Sequence, residues 1–233
     1  MLPDPLRQTL RRTLRRSLNG VVLAAWARLD RLGEIVPGTR AAEAFGSFGE
    51  GSCLGFPAAT LMNTGSVHVG RDVLIGRQAT LSVGYGPGDP HAPARALVIG
   101  DRCVIGARST LTAHTRIVLE DDVWLGQDVL VSDSSHGYRD PDVPIGRQLG
   151  PHEPVRIGAG SWLGHGAVVL PGTTIGRQVV VAAGSVVRGE VPDHCVVAGT
   201  PARIVRRLEP GLGWVGERGD VRATTRADLL PAP

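Results

Sequence analysis

Isoleucine, leucine or valine returns every six positions through the later part of the chain, at Ile157, Leu163, Val169, Ile175, Val181 and Val187. Glycine follows directly at Gly158, Gly164 and Gly176. A period of six is neither the 3.6 of a helix nor the alternation of a simple strand, so the pattern is a repeat. Six residues make a short extended segment and a turn. The aliphatic side chain points inward in each one, and the small residue after it sits where the backbone bends. Such repeats wind into a parallel β-helix whose stacked coils bury a continuous aliphatic interior. The fold class expected is therefore all-β, a parallel β-helix.

The same phase extends upstream in sets of three: Val69, Ile75 and Leu81; Ile99, Ile105 and Leu111; Leu119, Leu125 and Val131. Three hexads per coil give a triangular cross-section, with stacked strands about 4.8 Å apart. Spacing between sets exceeds one hexad by 12 residues after Leu81, by 2 after Leu111 and by 20 after Val131. Two long excursions thus interrupt a regular rod, and loops on rigid scaffolds are where chemistry concentrates. The first, VGYGPGDPHAPARA, is rich in Gly and Pro and reads as an exposed loop. The second, SDSSHGYRDPDVPIGRQLGPHEP, gathers Asp133, His136, Tyr138, Asp140, Asp142, His152 and Glu153 beside the rod.

The rest of the chain divides around this repeat. Residues 1–66 are a helix, to about residue 33, and a mixed connector; residues 67–208 are the β-helix; residues 209–233 are a polar tail without periodicity. Leu6, Leu10, Leu14 and Leu18 recur at i+4, with Arg7, Arg11, Arg12, Arg15 and Arg16 beside them. That helix packs on the rod or a neighbouring subunit, or it rests weakly on an anionic membrane surface. The apolar run Val21 to Ala27 is too short to span a bilayer, and the simplest location is cytoplasmic. The net charge of +3 comes entirely from arginine, and no basic face interleaved with aromatics suggests nucleic-acid binding. Cys53, Cys103 and Cys195 are odd in number and widely spaced, which suits small apolar fillers better than a disulfide framework or a zinc site.

SDSSHGY, VRIGAGSWLGHGAVVLPGTTIG, AAGSVVRGEVP and VVAGTPARIVRR occur in an order and spacing that resemble the hexapeptide-repeat acyltransferases. The likeness is to the maltose, galactoside and surface-polysaccharide O-acetyltransferases, and it covers roughly Val67 to Leu208. It implies a left-handed coil, although parallel crossovers otherwise favour the right hand. It also implies a homotrimer with sites in the clefts between subunits, and acetyl-CoA or another acyl-CoA as co-substrate. His136 matches the catalytic histidine, a general base that takes the proton of an attacking sugar hydroxyl.

The resemblance places oxyanion donors at or near Gly164 and His165 and a tryptophan beside the transfer site at Trp162. Ala183, Gly184 and Ser185 line the pantetheine arm, while Arg203 and Arg206 lie near the nucleotide phosphates. Gly189 replaces a lysine common in relatives, which passes phosphate contact to Arg188; Ser134 stands where relatives often carry a second histidine. His165 occupies a position where a small residue is common. Asp133, Tyr138 and Asp140 are candidates for the acceptor side, and Asp133, Asp140, Glu153 or a backbone carbonyl could orient His136.

Two other classes share this architecture. A γ-type carbonic anhydrase needs two histidines five residues apart and a third a coil or two away, and none of the seven histidines forms such a pair, so no metal is expected. A non-catalytic hexapeptide scaffold differs in lacking a reason for His136 to sit in the long insertion.

Overall fold

The computed structural model describes residues 4–225. One helix, α1 (Asp4–Gly33), leads into a triangular rod of stacked parallel coils. Its first face has seven strands, from Ser47–Phe48 to Glu190–Val191. The second has ten, beginning at Cys53–Leu54, and the third has six, from Thr60–Met62 to Val186–Val187.

The register follows the hexad phase residue by residue. Val69, Ile99, Leu119, Ile157 and Ile175 stack in one column. Ile75, Ile105, Leu125, Leu163 and Val181 make the second, and Leu81, Leu111, Val131, Val169 and Val187 the third. All of these side chains are buried. Each contributes about 1.5–3 kcal/mol of burial, so the core is a sum over coils rather than one centre.

Corners obey a second rule. Between the first and second faces the turn places Asp72, Arg102, Asp122, Gly160, Gln178 and His194 in the left-handed region, with φ between 53° and 71°. No β-branched residue stands there, because its side chain would clash in that conformation. The next position turns inward and is small: Val73, Cys103, Val123, Ser161, Val179 and Cys195 are all buried. Cys103 and Cys195 are thus fillers, and burial pushes the Cys103 thiol up to about 11. Cys53 faces outward instead, at the start of the second face.

Two boundaries differ from the sequence expectation. A full coil precedes Val67: Ser47–Phe48, Cys53–Leu54 and Thr60–Met62 pair in parallel with the strands that follow. Its inward residues are Phe48, Leu54 and Leu61, an irregular spacing that hides the hexad. At the other end the chain reverses after Cys195–Gly199. Ala202–Glu209, Gly213–Gly216 and Val221–Arg222 extend the second face as an antiparallel meander, so residues counted as tail are sheet. The segment 202–208 lies in that meander and not in a parallel coil.

Candidate active site

Both excursions leave the rod at the same corner, where the third face returns to the first. The first is tied down by Asn63, whose side-chain amide donates to the Val83 and Gly86 carbonyls and accepts from the Gly88 N–H. Asp89 accepts from the N–H groups of Tyr85 and His91, and these bonds hold its carboxyl below the usual range. The second excursion folds into a hairpin of Ser134–His136 against Leu149–His152. Its register slips between Ser134 and His136, a bulge that re-aims the strand end. Gly150 permits the bulge, since a Cβ there would stand 2.1 Å from the Ser135 carbonyl oxygen.

His136 lines a pocket of about 160 Å³ together with Tyr85, His114, Ser134, Ser135, Leu149 and His152. Three of the seven histidines therefore meet. The His114 and His152 rings stack with centroids 5.0 Å apart and planes within 9°. The Tyr85 ring meets His114 edge-on at 4.7 Å, and its hydroxyl hydrogen-bonds His152 Nε2. Burial pushes the His114 imidazole below its ordinary pKa; the nearby Asp133 carboxylate pulls the other way without overcoming it. The Nδ1 atoms of His114 and His152 are buried without a hydrogen-bond partner. Among the described residues, no three His, Cys, Asp or Glu side chains are arranged to hold a metal ion.

The acidic candidates lie elsewhere than expected. Asp133 is wholly buried and accepts hydrogen bonds from the N–H groups of His114, Thr115 and Arg116 and from the Thr115 hydroxyl. It fixes a turn below the pocket and presents nothing to an acceptor. Asp140 caps Asp142, and its backbone is clasped by the Gln148 side chain. Glu153 lies against Gly172 of the next coil. None of the three hydrogen-bonds the His136 ring, and Tyr138 is 80% exposed.

The residues assigned to the donor occupy a different edge. Trp162 projects from the second face, and Gly164, His165, Ala183, Gly184 and Ser185 form the corner between second and third faces. The Gly164 N–H is spent on the Val181 carbonyl at 2.8 Å, which removes it as an oxyanion donor. Neither His165 nor Ala183 donates its N–H to a backbone carbonyl among the described residues, and both are exposed. Gly164 makes this possible: a Cβ there would lie 2.6 Å from the Ala183 nitrogen. The His165 side chain leans onto Asp128 of the preceding coil on the same corner, Nδ1 to Oδ2 3.5 Å. Ser185 is buried and accepts from the Gly199 N–H.

Two arginines change standing. Arg206 is only 17% exposed; it pairs with Asp220 at 2.5 Å and donates to the Trp214 carbonyl, so it staples the meander and is not offered to a phosphate. Arg203 is exposed, with one contact to the Ala202 carbonyl. Arg188 is exposed on the corner of the hairpin, two coils further along. Within one chain the third face separates His136 from the corner of His165 and Ala183.

A profile described as bacterial transferase hexapeptide (six repeats) matches residues 154–189, and one described as hexapeptide repeat of succinyl-transferase matches residues 96–131. Hexapeptide repeats thus lie in both stretches of the rod that these profiles match. A probable acetyltransferase of Mycobacterium tuberculosis is 32% identical over 71% of this chain and 50% of its own length. A protein of Escherichia coli K12, assigned to lipopolysaccharide biosynthesis as an O-acetyl transferase, is 29% identical over 63% of this chain and 74% of its own. A galactoside O-acetyltransferase of Lactococcus lactis is 36% identical over 42% of this chain and 47% of its own. The hexapeptide-repeat chain thus spans about half the length of the first and third of these relatives. Among solved structures, a variant of AntD, an N-acyltransferase from Bacillus cereus in complex with dTDP and coenzyme A, superposes with a TM-score of 0.64. It is 18% identical and covers 76% of this chain and 92% of its own, a likeness of fold.

Proposed function

We propose that the protein is an acyl-CoA-dependent O-acyltransferase that acetylates a hydroxyl of a sugar, glycoside or glycosylated metabolite, working as a homotrimer of left-handed β-helices. The observation that carries the trimeric site is the separation just described. The imidazole and the free N–H groups stand on two corners of one rod, so only a second copy brings them together. An outward column of Leu74, Val104, Trp124, Trp162, Val180 and Val196 on the second face supplies apolar surface for that packing. Leu74, Trp124 and Trp162 are each 44–52% exposed in the single chain.

His136 takes the hydroxyl proton as the alcohol attacks the thioester carbonyl, and passes it to the departing thiolate. The His165 and Ala183 N–H groups of the neighbouring protomer steady the oxyanion and the amide oxygens of the donor arm. Both residues are exposed, and the small residues Ala183 and Gly184 allow close approach. Arg203, and Arg188 of the adjoining rod, meet the phosphates. Asp140 and Tyr138, on the outer part of the hairpin, face the acceptor. Tyr85 and His152 hold the hairpin, and with it His136, against the first excursion.

A hydroxyl acceptor is favoured by the curated relatives named as O-acetyl transferases. Release of free thiol from acetyl-CoA, measured with a panel of sugars and aminosugars, tests the reading. Turnover with a hydroxyl acceptor should fall about 10²–10⁴-fold in His136→Ala while the melting temperature stays put. Turnover confined to aminosugars would make it an N-acyltransferase, and failure to bind CoA would make it a scaffold.

A further inference from the structure

The second half of α1 carries large apolar side chains that are mostly exposed. Leu18, Val21, Val22, Trp26, Leu29 and Leu32 are 52–75% exposed. At 100° per residue they fall within an arc of about 140°, with Leu23, also exposed, outside it beside Asp30. Asp30, bonded to Arg77 of the rod at 3.0 Å, marks the side that faces the body. It lies about 110° round from the middle of the arc, so most of the stripe is offset from the side that meets the rod. At its base Trp26, Leu29 and Leu32 continue into an apolar hollow with Phe56 and Pro57.

The first half differs in kind. Arg7, Arg11, Arg12, Arg15 and Arg16 fall within ten residues of sequence, and no acidic residue occurs between Asp4 and Asp30. A bundle of identical parallel helices would bring these arginines face to face with nothing to neutralise them. An anionic surface accommodates both halves, the guanidinium groups on lipid phosphates and the stripe among the acyl chains. Among the described residues no helix is long and apolar enough to cross a bilayer, so the helix would lie in the interface. We propose that α1 docks the protein on bilayers containing anionic lipid, with Trp26 and Leu29 inserted and the arginines at the headgroups.

Co-sedimentation of the full chain with vesicles of phosphatidylcholine, alone or with phosphatidylglycerol, tests this, with sedimentation-velocity mass measured in parallel. Binding is expected to the anionic vesicles only and to weaken with added salt. Trp26→Glu/Leu29→Glu, and separately Arg11→Gln/Arg12→Gln/Arg15→Gln/Arg16→Gln, should each reduce it by roughly tenfold or more, with unchanged mass and melting temperature. No binding to anionic vesicles, or equal binding to both kinds, overturns the proposal. So does a fall in mass in Trp26→Glu/Leu29→Glu, which would assign the stripe to a second copy of the chain.

Discussion

The His136 ring has no hydrogen-bond partner among the described residues, so its position depends on what holds its hairpin. Tyr85 supplies a side-chain hydrogen bond from outside the hairpin to His152, which also stacks on His114 and pairs with Ser134 two residues from the imidazole. Tyr85→Phe should therefore lower kcat about tenfold, because small displacements of a reacting group are costly, with little change in donor KM. An unchanged kcat would mean the Tyr85 hydroxyl does not hold the imidazole in place. His114 offers a stability test. Its folded pKa lies below 6.5, so the unfolded chain binds the proton first as pH falls. Stability is present above pH 6.5 and is lost as pH drops from there through the folded value. Urea midpoints measured across that range should fall less steeply in His114→Asn than in the wild type.

His136 was legible because it stands inside a motif in the longer excursion. Tyr85, His114 and His152 were not singled out as its companions, although a signal existed: both excursions follow the third hexad of a coil, which puts them on one corner. Asp133 misled for a physical reason. An aspartate beside a catalytic histidine suggests an orienting carboxylate, but three consecutive N–H groups of the coil beneath had already claimed it.

At the scale of elements, the aliphatic columns were readable to the residue, since burial in a narrow rod leaves each hexad one inward position. The ends were not. The first coil uses Phe48 and an offset Leu61, and the final meander has no period because each of its strands pairs antiparallel. That meander separates two arginines that look equivalent in sequence. Arg206→Ala should destabilise the C-terminal strands by about 1–3 kcal/mol through loss of its bonds to Trp214 and Asp220, seen as earlier proteolysis near residue 214. Arg203→Ala should leave stability alone and raise the donor KM, with the acceptor KM nearly unchanged. Gly164→Ala should cost about 1–3 kcal/mol by overpacking the Ala183 nitrogen, and should weaken CoA binding as well.

The whole molecule is a stiff prism with its chemistry divided between corners. A rod of stacked coils cannot bend one corner toward another, so the imidazole and the exposed N–H pair of a single chain stay apart. In the trimer proposed above, heterologous contacts around a threefold axis would resolve this, setting the His136 corner of each copy against the His165–Ala183 corner of the next. Two chains, each inactive for a different reason, test it directly: His136→Ala, which lacks the base, and Ala183→Trp, which fills the donor corner. Refolded together, they should recover roughly a quarter of wild-type turnover, from clefts that pair an intact histidine with an intact corner. Turnover in the mixture no greater than in either parent would show that each chain works alone, and would contradict the shared site.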